Sequence, residues 1–333
     1  MKVLAGDIGG TKTLLQIAEV RGSYVEVLHR ARFSSQDYSD LDTLLREFLD
    51  HTPAAVRKDI SCACFGVAGP IHGGEQGPRQ AKITNLPWRL DELKLQSRLQ
   101  LPRVRLINDF YAAANGIEAL GADDLAVLNP GTPQPRAPRL IVGAGTGLGV
   151  AQLLWCEGRY RAFPSEGGHI HFAPTDELQM ELLSYLKNRY DRVSYERVIS
   201  GAGLANIYSF LCKHEKNSDH ADLKILLESP DPAAAITERA RTAEPLAAQA
   251  VSLFISIYGS VVGDLALITL ARGGIYVAGG IAPKILGELR KGDFIEALSR
   301  KGRMSSLVKE MPVFIVLSQD IGLLGATLFA SQL

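Results

Sequence analysis

The chain has 333 residues, 46% of them apolar and 22% charged, and its 36 Lys and Arg balance 36 Asp and Glu. That length suits two domains of ordinary size, and that composition a soluble globular protein. A net charge of zero argues against nucleic acid or an anionic membrane as the main partner. Cys62, Cys64, Cys156 and Cys212 form no CxxC pair and read as buried thiols in a reducing compartment. The apolar stretch after Lys2 is broken by Gly6-Asp7, so no signal peptide is expected.

In chain order, Val3-Leu4-Ala5 begins a strand, and Thr13, Leu15 and Ile17 alternate as a second strand after a glycine turn. Tyr24 to Arg30 reads as a third. Leu41, Leu44, Leu45, Phe48 and Leu49 have helical spacing. Ile60 to Val67 is a buried strand closed by Gly69-Pro70, and residues 71–80 read as a loop. A short helix over Asp91 to Leu99 precedes a strand, Val104 to Ile107, which ends in Asn108-Asp109. A helix-favouring stretch follows from Tyr111 to Leu120, and the proline-rich Pro130 to Pro138 reads as a surface loop.

The order then echoes itself. Leu140 to Val142 is a strand, Gly143 to Gly149 a glycine turn, and Gly149 to Trp155 the returning strand. Ile275-Tyr276-Val277 is a buried strand ending in Gly279-Gly280, Val313 to Leu317 a late strand, and Leu323 to Ala330 a terminal helix. Two halves that each open with strand, glycine turn and strand suggest a duplicated architecture. Val251 to Leu270 is long and apolar enough to span a membrane. Its glycines and serines and the charged Asp264 make a buried core helix the expectation.

Neither glycine turn is a familiar nucleotide fingerprint. Gly6-Asp7-Ile8-Gly9-Gly10-Thr11-Lys12-Thr13 has Thr where a P-loop needs Gly before Lys. The Gly143 run lacks the last glycine of a Rossmann turn. Both lead into strands. A tight hairpin needing positive φ is the plain alternative. Yet each turn carries Gly-Thr (Gly10-Thr11, Gly145-Thr146), which offers backbone N–H groups and a hydroxyl to a phosphate. Asp7 is placed to hold Mg²⁺, through water. A carboxylate at a strand end, Asp109, together with phosphate cradles is the equipment for moving a phosphoryl group onto a hydroxyl.

Two further segments are densely polar. Ser165-Glu166-Gly167-Gly168-His169-Ile170-His171 and Ser194-Tyr195-Glu196-Arg197 suit hydroxyl recognition. Glu166 with His169 and His171 on one strand face is also readable as a metal site. Glu196 beside Arg192 and Arg197 is also readable as a surface ion pair. His51, His72, His214 and His220 lie in polar contexts and read as exposed. Trp88 reads as packing, with a sugar platform as the alternative.

Taken together, these segments resemble the bacterial glucokinase family of the sugar kinase–Hsp70–actin superfamily, over nearly the whole chain. Gly6 to Thr11 resembles the first phosphate motif, Ile107-Asn108-Asp109-Phe110 the catalytic-base motif, and Gly143 to Gly149 the second phosphate motif. Glu166-Gly167-Gly168-His169 and Glu196 to Gly201 resemble the sugar-binding pieces, Val277 to Ile281 the adenosine motif, and Gly322 to Ala326 the closing helix.

The resemblance implies an α/β, two-domain actin-like ATPase (ribonuclease H-like) fold with a ligand cleft between the domains. It implies a small domain over 1–109 plus 319–333 and a large one over 110–318. The implied reaction is ATP- and Mg²⁺-dependent phosphorylation of glucose at its 6-hydroxyl, by a cytoplasmic homodimer. By similarity Asp109 is the base, and Asn85, Asn108, Asp109, Glu166, His169 and Glu196 meet the sugar. Gly6, Asp7, Ile8, Gly9, Gly10, Thr11, Gly145, Thr146, Gly147, Gly279 and Gly280 meet ATP. Lys12 and His171 depart from the pattern of the proteobacterial members, which often carry Asn and Asp there. The related repressor–kinase family's cysteine-rich zinc motif has no counterpart, and a phosphate motif starting at residue 6 leaves no room for its helix-turn-helix. A sugar-binding sensor, a kinase for another hexose and an actin-like ATPase are the other readings, and the donor, ATP or polyphosphate, stays open.

Overall fold

The computed structural model describes residues 1–74, 77–214 and 226–333. His220 lies outside the described residues. The chain forms two compact units, Met1–Ala122 with Ser318–Leu333, and Asp123–Leu317.

The first unit is built on β1 (Lys2–Ile8), β2 (Lys12–Arg21), β3 (Tyr24–Ser34), β4 (Cys62–Val67), the short strands β5 (Ile71–His72), β6 (Gln80–Lys82) and β7 (Arg89–Asp91), and β8 (Val104–Asn108). Its main sheet has the order β3-β2-β1-β4-β8, with β1, β4 and β8 parallel and β2 and β3 antiparallel. Both faces are covered, so β4 is buried at every position and reads as an unbroken apolar run. One face holds Leu4, Ile8, Leu15 and Phe65 against Leu41, Leu44 and Phe48 of the helix Leu41–His51. The other holds Val3, Ala5, Leu14 and Cys64 against Leu323, Ala326 and Leu328 of the terminal helix Ile321–Ala330.

That terminal helix crosses the helix Asp109–Gly116 at very short range. A Cβ on Gly325 would strike the Ala112 carbonyl, and one on Gly116 the Ile321 carbonyl. The sequence places a domain boundary at 109, whereas this crossing keeps the Asp109 helix in the first unit. Residues 71–80, expected as loop, contribute β5 and the start of β6 to a three-stranded sheet, with residues 75–76 outside the described set. Such two- and three-residue strands are too short to show a period.

The second unit contains β9 (Leu125–Asn129), β10 (Arg139–Ala144), β11 (Leu148–Cys156), β12 (Arg159–Ser165), β13 (Gly274–Ala278) and β14 (Val313–Val316), in the order β12-β11-β10-β13-β14-β9. The first five strands repeat the order and directions of the first unit's sheet: two antiparallel strands, then three parallel. The duplicated architecture expected from the sequence is therefore present. The apolar helix Pro245–Thr269 is 25 residues long and lies in the core of this unit, with Phe254, Tyr258 and Val262 fully buried.

Candidate active site

In the first unit the site starts at the hairpin between β1 and β2. Gly9 N–H closes the turn onto the Lys12 carbonyl at 3.0 Å. Among the described residues, the N–H groups of Gly10 and Thr11 have no protein acceptor. Gly10 is glycine because its Cβ would stand 2.6 Å from the Thr84 carbonyl, and Asn85 Cβ lies 3.4 Å from the same point. This packing brings exposed Asn85, a left-handed residue with φ of 64°, beside the turn. Gly6 and Ile8, expected among the ATP contacts, instead face the core: a Cβ on Gly6 would meet Phe65 and Leu15, and Ile8 is fully buried.

Asp109 is the first residue of a helix rather than the last of a strand, because Asn108 caps that helix. Asn108 Oδ1 accepts the N–H groups of Phe110 and Tyr111 at 2.9 and 3.1 Å. The cap occupies the side-chain oxygen of Asn108, a residue expected to meet the sugar, which leaves its amide N–H₂ for that role. Asp109 Oδ1 accepts Phe110 N–H at 2.8 Å, and its pKa is raised by burial against the lowering pull of Phe110 N–H and the Asn108 side chain. Asp7 is raised further, to about 6, by burial and then by the charge of Asp109, with Lys12 opposing and Asp320 adding to the shift. Gly322, at the start of the terminal helix, comes so close that its Cβ would sit 3.3 Å from Asp7 Oδ2. Asp320 was not singled out in the sequence, although a lone Asp just before a Gly-rich helix start is a visible signal. It is held by Arg30 at 2.7 Å, and Arg30 also donates to the buried Gln16.

In the second unit the hairpin between β10 and β11 repeats the device. Gly145 N–H donates to the Gly147 carbonyl at 2.9 Å, and among the described residues Thr146 and Gly147 N–H have no acceptor. None of Gly9, Gly10, Gly145 and Gly147 has positive φ, so a plain hairpin requirement does not explain them. A Cβ on Gly145 would meet nothing within 4 Å. Gly201 N–H, opening the helix Gly201–His214, donates to the Gly145 carbonyl at 2.8 Å. Gly279 has φ of 85° and passes so near the Ala144 carbonyl that no side chain fits, while a Cβ on Gly280 would meet open space. The exposed Gly279-Gly280 pair therefore flanks the turn within the same unit.

Glu196 sits on this turn too. Its Oε2 accepts Leu148 N–H at 3.1 Å and lies where a Gly147 Cβ would intrude, and its Oε1 is 4.0 Å from His169 Nδ1. His169 Nε2 is in turn 3.8 Å from Glu166, whose side chain is 91% exposed. The surface ion pair with Arg192 or Arg197 is not what forms: Arg192 donates to His171 Nε2 and to the His169 carbonyl, and Arg197 lies over the Tyr190 ring. His169 lies in a short 3₁₀ turn, Gly167–His169, and not on a strand, so the geometry of two imidazoles on one strand face does not arise. Among the described residues no three His, Cys, Asp or Glu side chains converge as a metal cage. Trp88 is 2% exposed and donates to the Tyr38 carbonyl, which makes it a packing residue.

These features define a protein of the two-domain actin-like ATPase fold, with a glycine-rich hairpin in each unit. A solved glucokinase from an Antarctic psychrotroph superposes with a TM-score of 0.86 over 100% of this chain and 99% of that one, at 29% identity. A ROK family glucokinase from Streptomyces griseus, solved with glucose and AMPPNP, shares the fold at a TM-score of 0.64, covering 100% of both chains at 22% identity. The glucokinase family model matches residues 4–333, and the glucokinase of Nostoc punctiforme is 42% identical over 99% of both chains. The chain belongs to the glucokinase family, and it is an enzyme of the ATP-binding sugar kinase class.

Proposed function

We propose that the chain transfers the γ-phosphoryl group of ATP to the 6-hydroxyl of D-glucose, with Asp109 as the general base. The observation that carries the reading is Asp109 itself: a carboxylate raised by burial, fixed by Phe110 N–H, and facing the charge of a second part-buried carboxylate, Asp7. A base poised toward neutral pH orients a weak hydroxyl nucleophile and accepts its proton as transfer proceeds. Gly10, Thr11, Thr146 and Gly147 offer unpaired N–H groups, and the exposed Thr11 and Thr146 add hydroxyls, for the phosphates. Gly279-Gly280 leaves backbone open to the adenosine. Asn85, Asn108, Glu166, His169 and Glu196 supply directional partners for sugar hydroxyls.

Asp7 fits Mg²⁺, a hard cation that prefers carboxylate oxygen and keeps water and phosphate as its other ligands. One or two carboxylates suit that better than a full protein cage would. When bound, Mg²⁺ supplies neutralisation of phosphate charge. Lys12, whose charge opposes the rise at Asp7, keeps that carboxylate ionisable. The family resemblance extends the proposal to a cytoplasmic homodimer, which sedimentation analysis tests.

A coupled kinase assay over glucose, mannose, fructose and a sugar-free control, with ATP or polyphosphate, tests the reading. Glucose with ATP is expected to give the highest kcat/KM. Equal ADP release without sugar would favour an ATPase, and sugar binding without ADP release a sensor.

A further inference from the structure

Two polar side chains lie fully buried between the first unit's main sheet and the terminal helix: Gln16 of β2 and Thr327. Gln16 Nε2 donates to Thr327 Oγ1 at 2.6 Å, and Thr327 Oγ1 donates to the Leu323 carbonyl at 2.7 Å. On β3, Arg30 stands opposite Gln16 and donates to its Oε1 through Nε at 3.0 Å and Nη2 at 2.7 Å. A guanidinium only donates, so the orientation of the Gln16 amide is determined. The third nitrogen, Nη1, donates to Asp320 Oδ2 at 2.7 Å. Asp320 stands at the N-cap position of the terminal helix but caps no N–H with its side chain. It is turned to Arg30 instead. The run Asp320, Arg30, Gln16, Thr327 thus ties two strands to both the start and the body of the helix.

Such a network is a poor source of stability. Burying an amide and a hydroxyl costs free energy that their hydrogen bonds only offset, and apolar residues of the same shape would serve as well. What it adds is direction. The rest of the interface is apolar, with Val3, Ala5 and Leu14 against Leu323, Ala326 and Leu328. Apolar contact joins two layers without fixing how one slides on the other. The Cys62 thiol donates to the Ala330 carbonyl at 3.0 Å, but it is a weak donor and sits at the far end of the helix. The near end is where placement matters. Asp7 belongs to β1 in the sheet, and the start of the helix brings Gly322 against it. Asp109 opens the helix that the terminal helix grips through Gly116 and Gly325. The spacing of the two carboxylates is therefore the spacing of sheet and helices.

We infer that Gln16, Arg30, Asp320 and Thr327 are positioning residues, which fix the terminal helix on the sheet and with it the separation of Asp7 from Asp109. The inference rests on the roles proposed above for those two carboxylates. An amide held on one side by a planar fork of donors and on the other by a hydroxyl excludes a slide that apolar packing would permit. A misplacement of about 1 Å, even one that starts far from the chemistry, can lower turnover about 10²-fold.

The test replaces both buried polar groups by apolar ones of like shape, Gln16→Leu together with Thr327→Val, in the full chain. The melting temperature of this double variant without ligands is expected to equal or exceed the parent's. Its glucose affinity by calorimetry should hold, whereas kcat should fall about tenfold or more. Thr327→Ser keeps the hydroxyl and should keep parental kcat. Parental turnover in the double variant overturns the inference. So does a melting temperature that falls along with turnover, because the network would then serve stability alone. A Thr327→Ser variant as impaired as the double variant overturns it as well. Asp109→Asn is assayed in parallel. If it keeps near-normal turnover, the reading of the base has failed and the inference with it. If it loses turnover while the double variant does not, only the positioning role has failed.

Discussion

Gly145→Val separates a hairpin that merely folds from one that holds phosphate. The residue has ordinary negative φ, and its Cβ would meet nothing within 4 Å, so the fold makes no demand for glycine there. Exposed substitutions that touch nothing change stability by about 0.5 kcal/mol or less, or roughly 2 °C in a unit of this size. The branched side chain would instead occupy open space next to Thr146 and Gly147, whose N–H groups have no acceptor among the described residues. Losing one charge-assisted hydrogen bond costs about 1.5–3 kcal/mol, or roughly 10- to 150-fold in ATP affinity. Gly279→Val is the contrasting control, since positive φ and the Ala144 carbonyl both forbid a side chain there. It should lower the melting temperature outright. Thermal melting and ATP titration of both variants decide the matter. An unchanged ATP affinity in Gly145→Val, or a melting loss as large as that of Gly279→Val, would refute the phosphate reading.

Asp109→Asn preserves the shape and removes the proton acceptor. It should lower kcat by about 10²–10⁴ with little change in glucose affinity, measured by coupled assay and calorimetry; near-normal turnover would remove Asp109 as the base. Asp7, raised to about 6 chiefly by burial, must lose its proton to hold a cation. Apparent Mg²⁺ affinity should therefore fall about tenfold per pH unit below 6, and Asp7→Asn should abolish that dependence. In the ligand-free chain Asp7 stays protonated to about pH 6 when folded but ionises near its ordinary value when unfolded. The wild type should thus lose stability relative to Asp7→Asn as pH rises from about 4 to about 6, and hold level above. Glu92→Ala removes the acceptor of the buried Leu106 N–H and the part-buried Arg79 N–H, and one ion-pair partner of Arg105. Urea denaturation should show a loss of about 3–5 kcal/mol, and a loss below 1 would contradict the buried network.

Much of this was legible because it is local. The buried parallel strands announce themselves as apolar runs, each glycine turn follows one of them, and Asp109 follows the last residue of a strand. The strands β9 and β12 were not legible: β12 reads Arg-Tyr-Arg-Ala-Phe-Pro-Ser and is mostly exposed, so no apolar face marks it. The start of the Asp109 helix was misplaced by two residues because the capping role of Asn108 depends on its side-chain rotamer, not its identity. Glu196 on Leu148 N–H and Gly10 under Thr84 join residues far apart in the chain, which no local pattern reports. The sequence singled out Glu166, His169 and Glu196 alike, and packing adds that His169 lies between the two carboxylates.

The terminal helix has a consequence for how the enzyme comes into being. The second unit is one uninterrupted stretch, Asp123–Leu317, and can fold as soon as it leaves the ribosome. Most of the first unit is made before the second, yet it waits for Ser318–Leu333 to seal the sheet face beneath Asp7 and brace the helix of Asp109. A nascent chain thus carries an exposed apolar sheet face until Ser318–Leu333 has been made, and one stopped before that segment never covers it. The cell's proteolytic surveillance therefore meets copies that lack Ser318–Leu333 in a state it can recognise, and copies that carry this segment in one it cannot.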